Sequence, residues 1–330
     1  MASHPSRPDL SVVVVTPERF ANVRRTVRHL RSQTVRERIE LVLMAPEEAA
    51  LADRAADELE GFHSVTIVPV GCIDNVDRAG ASGLLRGRAP VVALIEDHAF
   101  PEPDWAERLL PAWARGPWAA VGSAILNANP ATALSWSNLL IAYGPWDEAR
   151  PAGEIEWVPA HNISLRRDLL EPYGPRLADK LGREGQLLQE LAGAGHRFAF
   201  EPQARIRHVN PSSLASTAAL RFDAGRLYAA RRAEAENWSA LKRTAYVIGG
   251  PLIPGLRFAR LRRELFGGGR RRELVPRVYP GLMLGLVLDA AGQMAGYALG
   301  AGHAPQRLAV FEMDRWQHLS RRDRAALAAT

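Results

Sequence analysis

The chain has 330 residues, of which 47% are hydrophobic and 24% charged, and its formal net charge at pH 7 is +6. These ordinary globular values predict one large domain, or one and a half, with enough length to bury a real core. The single cysteine, Cys72, excludes an internal disulfide, so we expect a reducing cytosolic compartment and a buried, unreactive thiol. The opening MASHPSRPDL has no apolar region, so we expect no signal peptide.

The first hundred residues predict strands that alternate with helices. Apolar, β-branched runs predict buried strands at 11–16, 39–46, 64–70 and 90–97. Helical spacing or a terminal glycine predicts helices at 17–33, 47–61 and 75–88. The alternation predicts an α/β protein with a parallel central sheet and helices on both faces. In such sheets, ligands bind beyond the carboxyl ends of the strands.

The next hundred residues predict further helices and strands, without a visible internal repeat. A helix is expected at 104–115 and a strand at 119–127, followed by an aromatic-rich segment at 135–146. Residues 181–211 predict a helix, a glycine turn, a strand, a proline turn and a second strand that ends at His208.

The chain changes character from about residue 240. Segment 257–277 carries eight arginines against two glutamates, and the largely apolar segment 279–302 follows it. A membrane-spanning helix needs about 20 nearly uninterrupted apolar residues. Because Asp289 and Gln293 interrupt this segment, an in-plane or half-inserted helix beside an arginine cluster fits better than a spanning one. The alternative is a helix hairpin packed on the protein, with the arginines facing water.

The stretch VVALIEDHAFPEPDW carries the clearest chemical signal, because an apolar strand ends there on three polar residues. Glu96 and His98 project to one side of an extended strand end, and Asp97 projects to the other. Such a set can hold a divalent cation and a ribose, and the cation would neutralise a departing diphosphate. On the triplet alone, a surface strand end without a ligand explains the residues about as well.

Three sequence blocks, at 11–34, 94–105 and 182–210, are together similar to family 2 glycosyltransferases with the GT-A fold, a Rossmann-like and mostly parallel sheet. SVVVVTPERFANVRRTVRHLRSQT resembles that family's first strand, nucleotide-binding loop and first helix, and LIEDHAFPEPDW resembles its Asp-x-Asp segment. GREGQLLQELAGAGHRFAFEPQARIRHVN resembles its second signature, which runs from the catalytic acid to a final His. The resemblance covers roughly 10–211. It implies a GT-A domain at 1–239, with a nucleotide-binding part at about 10–100 and an acceptor part at about 101–239, before a helical extension at 240–330.

The resemblance also implies a reaction and the residues that carry it. Members of the family transfer a sugar from a nucleotide-diphosphate donor to an acceptor hydroxyl, with inversion at the anomeric carbon. The matching positions for the nucleotide sugar are Pro17, Glu18, Glu47, Glu96 and Asp97, and the match of Glu47 is loose. The implied metal ligands are Glu96, His98 and His208, and the implied catalytic base is Glu184.

The chain departs from the family pattern at Glu96, which stands on the first Asp of Asp-x-Asp, and at two further positions that bear on the chemistry. His98 replaces the last Asp of Asp-x-Asp, and imidazole is a softer ligand than carboxylate, so we expect a divalent cation with Mn²⁺ favoured over Mg²⁺. Glu184 replaces an Asp and is one methylene longer, which still allows it to act as a base.

Three further residues are candidates for contact with the donor or acceptor sugar. His161 and Asn162 lie in the polar loop WVPAHNISLRRD, where turn formation explains them nearly as well. Trp136 offers an aromatic face to a sugar ring, although core packing is the more common role of a tryptophan.

The implied partners are a nucleotide-diphosphate sugar and a glycan or lipid-linked acceptor, at the inner face of the cell membrane. An alternative is a non-catalytic nucleotide-sugar-binding or scaffold protein, because two Asp residues of the family motifs are replaced. Nucleic acid is not an expected partner, since Phe258 and Phe266 are the only aromatic residues in 257–277. A dinucleotide-binding dehydrogenase is excluded, because Thr-Pro-Glu-Arg and not Gly-x-Gly-x-x-Gly follows the first strand.

Overall fold

The structure is a computed structural model that describes residues 7–181, 185–267 and 275–329. The implied base Glu184 lies outside the described residues. The chain divides into two compact units, Met1–Leu126 with Trp146–His208 and Asn127–Pro145 with Val209–Thr330. The domain boundary expected at 239–240 therefore falls inside the second unit.

Strands and helices are numbered here in chain order. The strands are β1 Leu10–Val15, β2 Ile39–Ala45, β3 Ser64–Pro69, β4 Val91–Ile95, β5 Ala99–Pro101, β6 Trp118–Asn127, β7 Gly153–Ile155, β8 Ile163–Arg166 and β9 Arg197–His208. The helices are α1 Phe20–Arg31, α2 Val76–Arg86, α3 Trp105–Ala114, α4 Ala133–Tyr143, α5 Leu177–Leu181, α6 Gln186–Gly193, α7 Leu214–Ala235, α8 Ala240–Ile248, α9 Ile253–Gly267, α10 Val275–Leu299, α11 Ala304–Met313 and α12 Arg321–Ala328.

The strands form one sheet in the order β3-β2-β1-β4-β8-β6-β9-β5, with β7 paired to β9. The first four strands in this order are parallel. β8 is antiparallel to β4 and β6, and β9 is antiparallel to β5 and β7. Parallel neighbours need crossover connections, which the strand–helix alternation supplies only across the first hundred residues. The predicted α/β class with a helical C-terminal part is confirmed, and the parallel arrangement is limited to these four strands.

The parallel strands bring several predicted site residues to one edge of the sheet. β1, β2 and β4 are buried along their whole length, as their continuous apolar runs predict. They are neighbours in the sheet and point the same way. Because Pro17, Glu47 and Glu96 follow the carboxyl ends of these strands, all three lie at the edge where α/β proteins bind ligands.

The predicted helix at 47–61 is wrong. This segment forms two short 3₁₀ turns, Glu48–Leu51 and Ala56–Leu59. The buried carboxylate of Glu58 accepts hydrogen bonds from the backbone N–H of Ala55 at 2.9 Å and from Arg24 Nε at 3.1 Å. The bond to Ala55 caps the second turn, so a new helical turn begins at Ala56 and the turn from Glu48 does not continue into it.

Two other expectations also differ from the structure. The proline turn expected before His208 is absent from the described chain, because β9 continues through Pro202 for twelve residues. Glu201 Oε1 accepts the backbone N–H of Gln203 at 3.1 Å, which supports the strand beside the residue that lacks an N–H. Cys72, expected to be buried, is exposed.

Glu40 is a buried charged residue within the parallel sheet. Its carboxylate accepts bonds from Ser11 Oγ at 2.5 Å, from the Arg88 backbone N–H at 2.7 Å and from Arg88 Nε at 2.6 Å. Burial by itself raises the pKa of Glu40, but the hydrogen bonds from Ser11 and Arg88 outweigh it and hold that pKa below its ordinary value. These contacts tie β1, β2 and the segment that leads into β4.

In the second unit, helix α10 contains residues 279–299 of the apolar segment expected at 279–302 and ends before the last three. Among the described residues, one helix segment, Pro276–Leu299, is long and apolar enough to cross a membrane, and half of its most apolar window is buried in the protein. Asp289 on this helix is buried and accepts bonds from Arg257 Nη1 and Gln293 Nε2, each at 2.6 Å.

Helices α7 and α10 approach each other closely enough for their backbones to touch. A Cβ added at Gly225 of α7 would lie 2.1 Å from the Asp289 carbonyl oxygen, and one at Gly292 of α10 would lie 2.0 Å from the Phe222 carbonyl oxygen. These distances leave no room for a side chain, so glycine is required at both positions.

We expect Glu40→Gln to lower the free energy of unfolding by about 1–3 kcal/mol at neutral pH, because the charged hydrogen bonds of a buried carboxylate are lost. The lowered pKa sets the sign of the pH dependence: the stabilisation is present above about pH 5 and disappears as the pH falls through the pKa of the folded state. Urea unfolding of both proteins between about pH 6 and pH 3 should therefore show curves that converge in acid. Glu154→Gln removes an exposed ion pair with Arg197 and is the control, with a change of under about 1 kcal/mol.

Candidate metal centre

The candidate centre lies in the first unit, at the carboxyl edge of the sheet. Glu96 directly follows β4, and His208 is the last residue of β9. The antiparallel pairing of β5 with β9 places Ala99 opposite His208, which brings His98 and His208 together although they are far apart in sequence. The sheet therefore positions three side chains from two strand ends and one short loop.

Glu96 lies at the middle of three histidines. Its Oε2 is 3.2 Å from His208 Nε2 and 3.8 Å from His98 Nε2, and its Oε1 is 3.7 Å from His161 Nδ1. The rings of His98 and His208 meet edge to face, with centroids 4.9 Å apart, and both histidines are buried. One carboxylate thus contacts imidazoles through both of its oxygens.

Asp97 fixes the orientation of His98. Its Oδ1 lies 2.7 Å from His98 Nδ1, so Nδ1 carries the proton and Nε2 faces Glu96. Thr26 Oγ1 donates to the Asp97 carbonyl oxygen at 2.7 Å and holds the backbone there. A carboxylate behind an imidazole in this manner is the usual support for a metal-binding histidine.

Asn162 holds Glu96 from the other side. Its Nδ2 donates to Glu96 Oε2 at 2.5 Å, and its Oδ1 accepts the Glu96 backbone N–H at 3.1 Å. Asn162 is completely buried and has a left-handed backbone with φ of 53°. Asparagine is one of the few residues other than glycine that adopts this conformation readily, so one residue meets both the backbone and the side-chain requirement.

The surroundings of Glu96 decide its charge. Burial on its own raises the pKa of this carboxyl, but the positive potential of His98, His208 and His161, with the hydrogen bond from His208, holds the pKa well below its usual range. Glu96 is therefore an anion at neutral pH, which is the form that binds a cation.

Among the described residues, Glu96, His98 and His208 offer ligand atoms that all lie within 4.8 Å of one another. A carboxylate oxygen and two imidazole nitrogens form a donor set suited to divalent transition ions. The residues present therefore fit the divalent cation that the sequence implies.

The other predicted site residues fall into three groups. Pro17, Glu18 and Glu47 lie in the loops after β1 and β2, at the same sheet edge as Glu96. Trp136 belongs to the second unit, where its Nε1 donates to the Pro130 carbonyl oxygen at 3.1 Å and its ring packs against the apolar cluster that includes Leu140. Glu184 lies outside the described residues.

Sequence reasoning missed Asp77, which lies in the first turn of α2 with Oδ1 4.0 Å from His161 Nδ1. A usable signal was present, because α2 follows β3 and its N-terminus must open at the carboxyl edge of a parallel sheet. Asn75 marks that N-terminus, since its Oδ1 accepts the Arg78 backbone N–H at 2.9 Å. The support that Asn162 gives to Glu96 was also missed, because no sequence pattern shows which side chain an asparagine meets.

Comparison with known proteins agrees with the glycosyltransferase resemblance. No family model matches the chain. The glucosyl-dolichyl phosphate glucuronosyltransferase of Haloferax volcanii is 27% identical over 219 residues, which are 60% of this chain and 68% of that enzyme.

Two solved structures resemble the chain with lower sequence identity. The mannosyltransferase PcManGT from Pyrobaculum calidifontis, in complex with GDP-Man and Mn²⁺, is 18% identical with a TM-score of 0.46, over 98% of this chain and 81% of that one. GalNAc-T7 with UDP, GalNAc and Mn²⁺ is 14% identical with a TM-score of 0.43, over 63% of this chain and 46% of that one. At TM-scores below 0.5 neither supports a conclusion about this chain.

We expect Mn²⁺ to bind the wild-type chain at one site that His98→Ala and His208→Ala each weaken at least about tenfold, because each removes one of three ligands. Electron paramagnetic resonance of free Mn²⁺ measures the affinity directly. His303→Ala, which removes an exposed imidazole in the second unit, is the control. Equal affinity in all four proteins would contradict the metal centre.

We expect Asn162→Gly to weaken Mn²⁺ binding by about 10–100-fold, the usual effect of losing a group that orients a metal ligand. Glycine keeps the left-handed backbone, so the folded state should persist. Asn237→Gly is a matched control, because Asn237 also has a positive φ, of 52°, and lies in the second unit. If both glycine variants bind Mn²⁺ like the wild type, Asn162 does not position Glu96.

Proposed function

We propose that the chain is an inverting family 2 glycosyltransferase, which moves a sugar from a nucleotide-diphosphate donor to an acceptor hydroxyl. The observation that carries the proposal is the group of Glu96, His98 and His208 at the carboxyl edge of the parallel strands. This is where α/β proteins bind nucleotides, and the donor set fits a divalent cation. The similarity to a curated glucuronosyltransferase supports the same class of reaction.

A divalent cation, Mn²⁺ in preference to Mg²⁺, would neutralise the charge of the diphosphate leaving group. Glu96, His98 and His208 would hold it. The chain's own contribution is to fix these ligands: Asp97 orients His98, and Asn162 fixes Glu96.

The nucleotide sugar is expected to bind along the same edge of the sheet. Pro17, Glu18 and Glu47, in the loops after β1 and β2, would contact the base and ribose, together with Glu96 and Asp97. His161 is the candidate for contact with the donor sugar, because it lies beside Glu96 and is partly exposed. Asn162 and Trp136 remain candidates from the sequence alone, and the Asn162 amide already contacts Glu96.

Glu184 is proposed as the catalytic base. It would accept the proton of the acceptor hydroxyl while that oxygen attacks the anomeric carbon from the face opposite the diphosphate. One carbon–oxygen bond forms as the bond to the diphosphate breaks, so a single displacement inverts the centre.

The proposed acceptor is a glycan or a lipid-linked sugar used in cell-surface glycan or glycolipid synthesis. The chain would act in the cytoplasm, at the inner face of the cell membrane. Two observations support this proposal. The residues after about 240 are basic and apolar, and the curated relative is named for a lipid-linked sugar, glucosyl-dolichyl phosphate. The alternative is a non-catalytic nucleotide-sugar-binding or scaffold protein, which the replacement of two family Asp residues favours.

Donor binding can be tested by thermal unfolding with UDP-, GDP- and dTDP-sugars, each with Mn²⁺, Mg²⁺ or EDTA. A ligand at 100 times its Kd stabilises the folded state by about 2.7 kcal/mol, which gives a measurable rise in Tm. We expect one nucleotide class to raise the Tm, more with Mn²⁺ than with Mg²⁺, and EDTA to abolish the rise. No rise with any donor would contradict the proposed function.

Catalysis can be separated from binding with Glu184→Gln. We expect a loss of about 10²–10⁴-fold in the transfer rate, the usual contribution of a positioned base, while the donor still raises the Tm. Arg183→Gln changes the neighbouring residue and is the control. A transfer rate that is equal in wild type and Glu184→Gln would remove Glu184 from the mechanism, and donor binding without any transfer would favour the scaffold protein.

A further inference from the structure

The second unit exposes four large apolar side chains on α8, on the 3₁₀ turn Gly250–Leu252 that follows it, and at the start of α9. We call Leu241, Ile248, Leu252 and Leu256 the apolar stripe; their exposed fractions are 82%, 75%, 68% and 60%. Leu241 and Ile248, seven residues apart, lie on one side of α8, Leu252 ends the 3₁₀ turn Gly250–Leu252, and Leu256 lies in the first turn of α9. Gly249 and Ile253, the residues on either side of this turn, have right-handed helical backbone angles.

Packing on the opposite side holds the stripe outward. The Tyr246 ring lies 4.3 Å from that of Trp238 and 5.3 Å from that of Tyr297, centroid to centroid, and Val247 packs against the same cluster. On α9, Phe258 packs against the cluster that includes Leu282 of α10. These contacts bury the opposite sides of α8 and α9, so the packing of the folded chain leaves the stripe residues exposed.

The sequence of the stripe contributes cations only, two of which are paired: Lys242 with Glu236 at 3.3 Å and Arg257 with Asp289 at 2.6 Å. Between residues 240 and 263 the sequence has no Asp or Glu, and its six cationic residues are Lys242, Arg243, Arg257, Arg260, Arg262 and Arg263. A second copy of the chain docked on the same face would set these cations against each other. An anionic surface complements them. Apolar residues with flanking Lys and Arg, on helices that lie side-on, are the pattern of proteins that bind the surface of an anionic bilayer.

Helix α10, in which the sequence predicted the membrane segment, fits this role less well. Half of its most apolar segment is buried in the protein, and Asp289 forms an ion pair with Arg257 of α9. Apart from Leu299, its last residue at 75%, its more exposed apolar residues, Tyr279 at 45%, Leu284 at 37% and Val287 at 50%, are less accessible than those of the stripe. α10 therefore acts mainly as the support against which α8 and α9 pack.

We propose that the apolar stripe and its flanking cations form the surface by which the chain lies on an anionic lipid bilayer. The stripe enters the boundary between headgroups and acyl chains, and the exposed cations Arg260 and Arg262 contact lipid phosphates. This inference deepens the proposed function, because it names the surface and the lipid chemistry that would bring the enzyme to a lipid-linked acceptor.

The test is co-sedimentation of the full chain with phosphatidylcholine vesicles, with and without phosphatidylglycerol. We expect binding to the vesicles that contain phosphatidylglycerol, and a loss of at least about tenfold in the double variant Ile248→Ser/Leu252→Ser, because less apolar area enters the bilayer. The matched control is Leu299→Ser/Val310→Ser, which removes two apolar residues of similar exposure, 75% and 71%, outside the stripe. The control should bind like the wild type.

A second variant tests the charges separately. Arg260→Gln/Arg262→Gln should weaken binding to the anionic vesicles and reduce its sensitivity to salt. Equal binding to both vesicle types, or stripe variants that bind like the wild type, would overturn the proposal. So would a wild-type dimer in sedimentation velocity that the stripe variants convert to a monomer, because a second copy would then cover the stripe.

The outcome is independent of the proposed reaction. Donor-induced changes in Tm should be the same in wild type and stripe variants, since the substitutions lie in the second unit and on exposed positions. If no donor binds but the vesicle results stand, the proposed function fails and the lipid surface does not. If donors bind and the vesicle results fail, only the lipid surface is withdrawn.

Discussion

The buried carboxylate of Glu96 is the constraint on which the candidate centre depends. Removing a carboxylate from water costs several kcal/mol unless other groups replace its hydration. Here the replacement comes from the Asn162 amide and from three imidazoles. Each comes from a different part of the first unit, so β4, β8 and the β5–β9 pair must all be in register for the charge to be tolerated.

The need to hold the buried Glu96 carboxylate and its neighbouring imidazoles explains why the residues that orient them, Asp97 and Asn162, are polar. His98 would be free to rotate without Asp97, and the carboxylate would be free to turn without Asn162. Fixing both in advance means that little ordering remains when a cation binds. The left-handed backbone at Asn162 is a small local cost of the arrangement, and it is held in place by the complete burial of the residue.

Much of the parallel half of the sheet was predictable from the sequence. Buried strands have continuous apolar runs, and the helices between them have apolar residues at helical spacing. The convergence of His98 with His208 was not predictable from local pattern. It depends on the antiparallel pairing of β5, only three residues long, with the end of β9, and only the family resemblance pointed to it. The segment at 47–61 was misread because its helical spacing gave no sign that Glu58 would be drawn into bonds with Arg24 and the Ala55 backbone.

In the second unit the sequence indicated the apolar composition of the tail and not which side of each helix is exposed. Segment 279–302 is the most apolar part of the tail, but composition does not say which side of a helix meets other helices. The spacing of Leu241, Ile248, Leu252 and Leu256 is visible in the sequence. These residues face outward because Trp238 and Tyr297, which are not part of that spacing, pack against Tyr246 on the other side of α8.

The backbone contact between α7 and α10 has a consequence for the solvent in which this unit can remain folded. Where side chains are excluded, as at Gly225 and Gly292, the attraction comes from dispersion and from carbonyl dipoles rather than from the release of water. Close packing of that kind is as effective in hydrocarbon as in water, which is why helices inside membranes use it. Helices α7 and α10 can therefore keep their packing whether the neighbouring helices are in contact with water or with lipid.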